Sequence, residues 1–235
     1  MTVGGTAEEQ ARARVVDAAE ELFYARGVRA VGMDAVRSAA GVSLKRLYQL
    51  FPAKDHLVEE FLRRRDHAWR AALVRHADAR PTPRARLLAV FDWLYEWFAE
   101  PDFRGCAFLN CFAELGGTSP AVAEAARAHK AAVRTYLGEL TAATGASEPE
   151  PLADQLALLA EGAIATAAVT GSPEPARAAR AAAQALLAAA GVEGGGADGP
   201  AAHPAGPEGY EAGAAPRQAP ANPRTATAHT DPASG

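Results

Sequence analysis

The stretch Met33-Asp34-Ala35-Val36-Arg37-Ser38-Ala39-Ala40-Gly41-Val42-Ser43-Leu44-Lys45-Arg46-Leu47-Tyr48-Gln49-Leu50-Phe51-Pro52-Ala53-Lys54 divides at its glycine. Before Gly41, the positions of Met33, Val36, Ala39 and Ala40 predict a short helix over 33–40 with those four facing inward. Gly41 ends it, Val42 is a buried link, and Ser43 is a good N-cap for a further helix to Leu50. Helix, short turn with Gly, helix is the pattern of a helix-turn-helix. With Leu47 and Leu50 turned inward, Leu44, Lys45, Arg46 and Gln49 point outward near the N-terminal half of the last helix. Pro52 stops that helix, and Lys54 begins the next.

Charge agrees with the pattern. Between Val28 and Lys54 the bases Arg29, Arg37, Lys45, Arg46 and Lys54 face one acid, Asp34, for a local net charge of +4. Such a patch supplies the counterion-release part of DNA affinity, and basic and amide side chains on a recognition helix reach base edges in the major groove. The alternative is an ordinary solvated helix pair. The whole chain of 235 residues carries −4, which by itself argues against nucleic acid. That average is misleading. Residues 193–235 hold 12 Ala, 8 Gly and 7 Pro, with Tyr210 their one large apolar side chain and a net charge of −3. They cannot bury enough apolar surface to offset ordering, so a disordered tail is expected there.

Residues 1–192 read as helix almost throughout. Thr6-x-x-Glu9 has capping-box spacing, and Val15, Ala18, Ala19, Leu22 and Phe23 form an apolar stripe closed by Gly27. These residues resemble the DNA-binding domain of the TetR/AcrR family of transcriptional regulators. The matching residues are Val16-Asp17-Ala18-Ala19-Glu20-Glu21-Leu22-Phe23, Gly27, Met33-Asp34-Ala35-Val36, Ala39-Ala40-Gly41-Val42-Ser43, Leu47-Tyr48 and Phe51-Pro52-Ala53-Lys54-Asp55.

The resemblance implies an all-α fold. A helix-turn-helix DNA-binding domain would occupy 1–53, and a helical ligand-binding and dimerisation domain 54–192. It implies phosphate contacts from Tyr48 and Lys54, a recognition-helix cap at Ser43, and base or backbone contacts from Leu44, Lys45, Arg46 and Gln49. Gly32 stands where the family often has a phosphate-binding Ser or Thr. Arg37 stands where a small residue is usual, and it must lean outward, toward a phosphate or an acid.

The remaining helices are expected over about 54–77, 83–99, 106–115, 120–144, 150–170 and 175–190. Arg63-Arg64-Arg65-Asp66 interrupts the first of these, as solvated surface or as a DNA contact. Trp69, Trp93, Trp97, Phe108 and Cys111, beside Asn110, Glu114 and His129, suit an apolar ligand cavity with sparse polar anchors. Core packing is the alternative for each aromatic, and partial exposure for Asn110 and Glu114. His67, His129 and Glu114 lack metal-motif spacing, so no metal site is expected. Cys106 and Cys111 sit about 140° apart around a helix, which favours buried free thiols over a bridge. Leu152, Leu156, Leu159, Ala160, Ala163 and Ala167 line one late helix. Ala178, Ala182, Ala185, Leu186 and Ala189 line the other. By resemblance this pair docks on a second copy; an intramolecular bundle is the alternative.

No uninterrupted apolar run of about 18 residues and no secretory leader occur, so a cytoplasmic protein without a membrane span is expected. Catalytic motifs such as GxSxG and HExxH are missing, and neither an enzyme nor a cofactor is expected. The sequence thus predicts a homodimeric, effector-responsive regulator, a repressor by resemblance, on a pseudo-palindromic double-stranded operator. A helical small-molecule-binding protein without DNA binding is the other reading.

Overall fold

Thr6 opens the first helix as expected. Its hydroxyl accepts from the Glu9 amide at 3.2 Å, while the Glu9 carboxylate accepts from the Thr6 amide at 2.7 Å. The structure, a computed structural model, describes residues 6–192. The expected disordered tail at 193–235 lies outside the described residues. Among these, nine helices and no strand occur: α1 (Ala7–Arg26), α2 (Met33–Ala40), α3 (Leu44–Leu50), α4 (Lys54–Asp78), α5 (Pro83–Phe98), α6 (Ala107–Leu115), α7 (Pro120–Ala143), α8 (Pro149–Thr170) and α9 (Glu174–Ala189).

Helices α1 to α3 form a small bundle around Val15, Ala19, Phe23, Val36, Leu47 and Leu50, all buried. The turn between α2 and α3 depends on Gly41, which is left-handed at φ 63° and ψ 36°. There its N–H and that of Val42 return to carbonyls of the last turn of α2. Ser43 then caps α3, its Oγ accepting from the Arg46 amide at 3.2 Å. Ala39 is exposed, contrary to the inward position its spacing suggests. In so short a helix Val36 and Ala40 fill the inner side, with Met33 packed half-buried beside them.

Helix α4 runs from the small bundle into the larger one. Phe61 packs edge-on to Phe23 at 5.9 Å, with Leu57, Val58 and Leu62 fully buried beside it. The basic run on α4 is engaged in ion pairs, with Arg63 exposed and Arg64 and Arg65 half-buried. Arg65 pairs with Glu20 at 3.1 Å, Arg64 pairs with Asp17 and Glu20, and Arg63 pairs with Glu60. These pairs tie α4 to α1, apart from the local Arg63–Glu60 bridge.

Helices α5 to α9 pack with the C-terminal part of α4 into a bundle. Helix α5 lies against α4, α7 and α9, and α8 lies between α7 and α9. Its centre is Leu87, Phe91, Leu94, Leu137, Leu156, Ala163, Ala183 and Leu187. Helix α8 is long and apolar enough to cross a bilayer by length and composition. It nevertheless buries seven residues against its neighbours, and Glu161 on it pairs with Lys130. The inner stripe of α9 is Ala176, Ala179, Ala183 and Leu187. The stripe expected from spacing, Ala178, Ala182, Ala185, Leu186 and Ala189, is its outer or half-buried side. An Ala-rich helix carries apolar residues on every face, so spacing alone cannot select one.

Candidate nucleic-acid interface and inner cavity

The outward side of α3 is built by burying the other side. Leu47 and Leu50 fix the helix, leaving Leu44 at 49% exposure and Tyr48 at 46%, with Lys45 and Gln49 exposed beside them. A large aliphatic and a large aromatic side chain next to a lysine and an amide are unusual solvent companions. They suit a thymine methyl, a base edge or a phosphate.

The flanking positions differ. Arg46 reaches Glu8 at 3.2 Å, and Arg37 donates to Asp34 at 2.7 Å and to the Ser38 hydroxyl at 3.0 Å. Both pairs are solvent-exposed, so they are worth little and can open for a phosphate. Ser43 acts as the cap. Gly32, at the start of α2, offers no side-chain donor.

Lys54 sits differently from Lys45. Its ammonium turns inward, donates to the Val28 carbonyl at 2.5 Å and lies over the Phe23 ring. Burial lowers its pKa, and the nearby Glu114 carboxylate works against that. Lys54 therefore ties the chain between α1 and α2 to the start of α4.

In the larger bundle, Trp69, Trp97, Phe108 and His129 do come together. They line an inner cavity of about 10 Å³ with Arg65, Lys130, Glu161 and Ile164. That is room for about one water molecule. Trp69 meets Trp97 edge-on at 5.6 Å and His129 at 5.2 Å, while Phe108 stacks flat on His129 at 3.8 Å. Trp93 stands behind this lining, packed on Trp69 at 4.8 Å.

Three of the expected cavity residues lie elsewhere. Asn110 is exposed and donates to the Arg104 carbonyl at 3.0 Å. Cys111 is buried outside the lining, and its thiol is pushed up to about 12 by burial. Such a group is not a nucleophile at neutral pH. Glu114 turns away from the cavity, accepting from the Val28 and Arg29 amides at 3.1 and 2.6 Å. Phe112 of the same helix is 45% exposed. Helix α6 is one layer thick over α7, so it hides a single narrow stripe containing Phe108 and Cys111. His67 is exposed, and no cluster of metal-ligating side chains occurs among the described residues.

On the polar side of the cavity, His129 is where the sequence reading puts it, whereas Lys130 and Glu161 are additional. Lys130 donates to both Glu161 oxygens at 2.7 Å and to the Cys106 sulfur at 3.3 Å. Its neighbours Glu124, Arg127 and Arg134 suggest a surface position. The available signal was Glu161, an acid inside the apolar run of α8 that needs a partner once folded. His129 lies 2.7 Å from Asp66 through Nδ1, and Arg70 grips the same carboxylate. Burial lowers the His129 pKa despite that bond. Burial would raise Asp66, but the Arg70 and His129 hydrogen bonds prevail and hold it below the usual carboxylate range.

Family models match both parts of the chain. Residues 15–61 match bacterial regulatory proteins of the tetR family, and residues 83–183 match the tetracyclin repressor-like C-terminal domain. A search of curated proteins finds no match. Among solved structures, a TetR-family transcriptional regulator from Streptomyces coelicolor superposes with TM-score 0.72 at 29% identity, covering 77% of this chain and 96% of that one. A tetR transcriptional regulator from Streptomyces avermitilis gives TM-score 0.70 at 34% identity, covering 78% and 99%. NemR of E. coli, in its reduced form, gives 0.68 at 22% identity, covering 75% and 97%. The matched models, the two-part helical architecture and these relatives agree, and the chain belongs to the TetR family of transcriptional regulators.

Proposed function

We propose that this DNA-binding regulator is a homodimeric repressor whose hold on a pseudo-palindromic operator is released by a small molecule entering the inner cavity. Family regulators are generally non-enzymatic transcription factors. The exposed side of α3 is the observation that carries the DNA reading: Leu44, Lys45, Tyr48 and Gln49 read bases or phosphates, flanked by Arg37 and Arg46. The DNA-binding unit is residues 1–53, and effector and dimer contacts fall within 54–192. Two copies of α3 held about 34–36 Å apart would enter successive major grooves.

The dimer contact is assigned to the outer side of α8 and α9. Leu158 is 73% exposed and shares a shallow groove with Ala178 and Ala182, and Val169 of the same helix is 88% exposed. An apolar surface of this kind on a soluble monomer is uncommon. The cavity supports the release step by being nearly closed. An effector larger than water binds only a state in which the Phe108–His129 stack has parted, so binding selects a rearranged conformer.

A mobility-shift titration with the region upstream of the chain's own coding sequence tests the proposal. A shift that needs about tenfold more protein in Lys45→Ala at matched salt is expected. No shift by the folded dimer at low salt would overturn the repressor and favour a helical small-molecule-binding protein that has lost DNA recognition.

A further inference from the structure

Between α1 and α2 the chain turns at Gly27-Val28-Arg29, with the Val28 side chain buried in the core and its carbonyl accepting from the Val31 amide. Its consecutive Val28 and Arg29 amides both donate to one carboxylate, that of Glu114, in the last turn of α6. Two adjacent N–H groups converging on one anion form a small anion-binding nest. The fit is close. Gly27 sits at φ 84°, and a Cβ there would come within 2.8 Å of Glu114 Oε1. The Val28 peptide is held on its other side as well, its carbonyl accepting from Lys54. A second joint lies nearby. The Tyr24 hydroxyl donates to the Gly105 carbonyl and accepts from the Arg104 amide, both at 2.9 Å, just before α6 begins.

Thus α6 grips the DNA-reading head near both of its ends. Its N-terminal residues Ala107 and Phe108 also form cavity wall, with Phe108 flat on His129 of α7. A helix of nine residues is about 13 Å long and moves as a rod. Whatever parts Phe108 from His129 displaces the same rod that holds the Val28–Arg29 turn, four residues before α2.

We propose that Glu114 is a positioning residue for DNA binding: its carboxylate, seated on the Val28 and Arg29 amides, sets the angle of the reading head and passes displacement of α6 to it. The proposal rests on the reading of the chain as an operator-binding dimer. Removing the carboxylate should leave each head able to recognise its half-site but less fixed in its distance from the other head.

The test uses the full chain and operators with half-sites spaced at the natural distance and one or two base pairs longer or shorter. Wild-type affinity should fall at least tenfold off the natural spacing. In Glu114→Ala that fall should shrink to threefold or less, with single half-site recognition unchanged. Glu114→Gln keeps the volume but only one acceptor oxygen, so it should lie between, and it carries the test if the alanine variant does not fold. His129→Trp, which overfills the α6–α7 contact, should lower operator affinity at least tenfold in wild type and less than threefold in Glu114→Ala. Unchanged spacing dependence in Glu114→Ala, or additive effects of the two substitutions, would overturn the proposal. Failure of wild type to bind any operator would instead sink the DNA-binding reading, while faster exchange of the Val28 and Arg29 amides in Glu114→Ala would still report the joint itself.

Discussion

Two lysines, one on α3 and one at the start of α4, show how one residue type serves opposite ends. Lys45 points to solvent, whereas Lys54 is tied to the Val28 carbonyl at 2.5 Å. Lys45→Ala is therefore expected to reduce operator affinity about tenfold and leave the melting curve in place, because a surface substitution costs at most about 0.5 kcal/mol of stability. Lys54→Ala should do the reverse first, costing about 1.5–3 kcal/mol for a hydrogen bond to a charged group, read as a lower urea midpoint. His129 makes a third residue-level case. Burial lowers its pKa, so the unfolded chain, with an imidazole pKa of about 6.5, takes up the proton before the folded one. Stability is then full above about pH 6.5 and declines as pH falls toward the folded value, by at most about 1.4 kcal/mol per pH unit per proton. His76 acts in the same direction, and Asp66, held low, loses its contribution only below about pH 4. His129→Gln should flatten the fall in urea midpoint between about pH 7 and pH 5.5. An unchanged slope would show that His76 accounts for the whole effect.

Short elements here rest on their ends. Helix α3 has seven residues, too few to stand on propensity, and it is held by the Ser43 cap, the Gly41 turn and the burial of Leu47 and Leu50. Gly41→Ala meets no neighbouring atom, so its cost is the left-handed conformation itself, about 1–2 kcal/mol. Ser43→Ala should cost about 1 kcal/mol. Both are measured by urea unfolding, and a neutral Gly41→Ala would mean the turn relaxes to another geometry. These ends were legible in the sequence because caps and turn glycines act over three or four residues. The exposed side of α3 followed from the same local spacing. The cavity was legible in Trp69, Trp97, Phe108 and His129, whose large or polar side chains suit a buried lining. Lys130 and Glu161 are 31 residues apart and meet only through the packing of α7 on α8. Glu114 misled for the same reason: a carboxylate between Ala113 and Leu115 looks like a cavity anchor until the turn at Val28 is brought to it.

At the scale of the whole molecule the unsatisfied feature is the outer side of α8 and α9. Each helix already buries one stripe, yet Leu158 and Val169 remain in solvent beside a slope of alanines. Burying an exposed leucine or valine is worth about 1.5–3 kcal/mol, and a two-fold contact gains each such term twice, because both copies present the same patch. A charge placed there acts twice as well, and it faces its own image. Leu158→Asp should thus shift the dimer to monomer in sedimentation at micromolar concentration while helix content and urea midpoint of the isolated subunit persist. Operator affinity should fall with it by a hundredfold or more, since one α3 reads only half the site and loses the benefit of the linked second contact. Removing residues 193–235 should change neither property. A dimeric Leu158→Asp variant would move the contact off this surface. A monomeric tail deletion would show that residues beyond 192 hold the copies together, and then the exposed leucine would need another occupant.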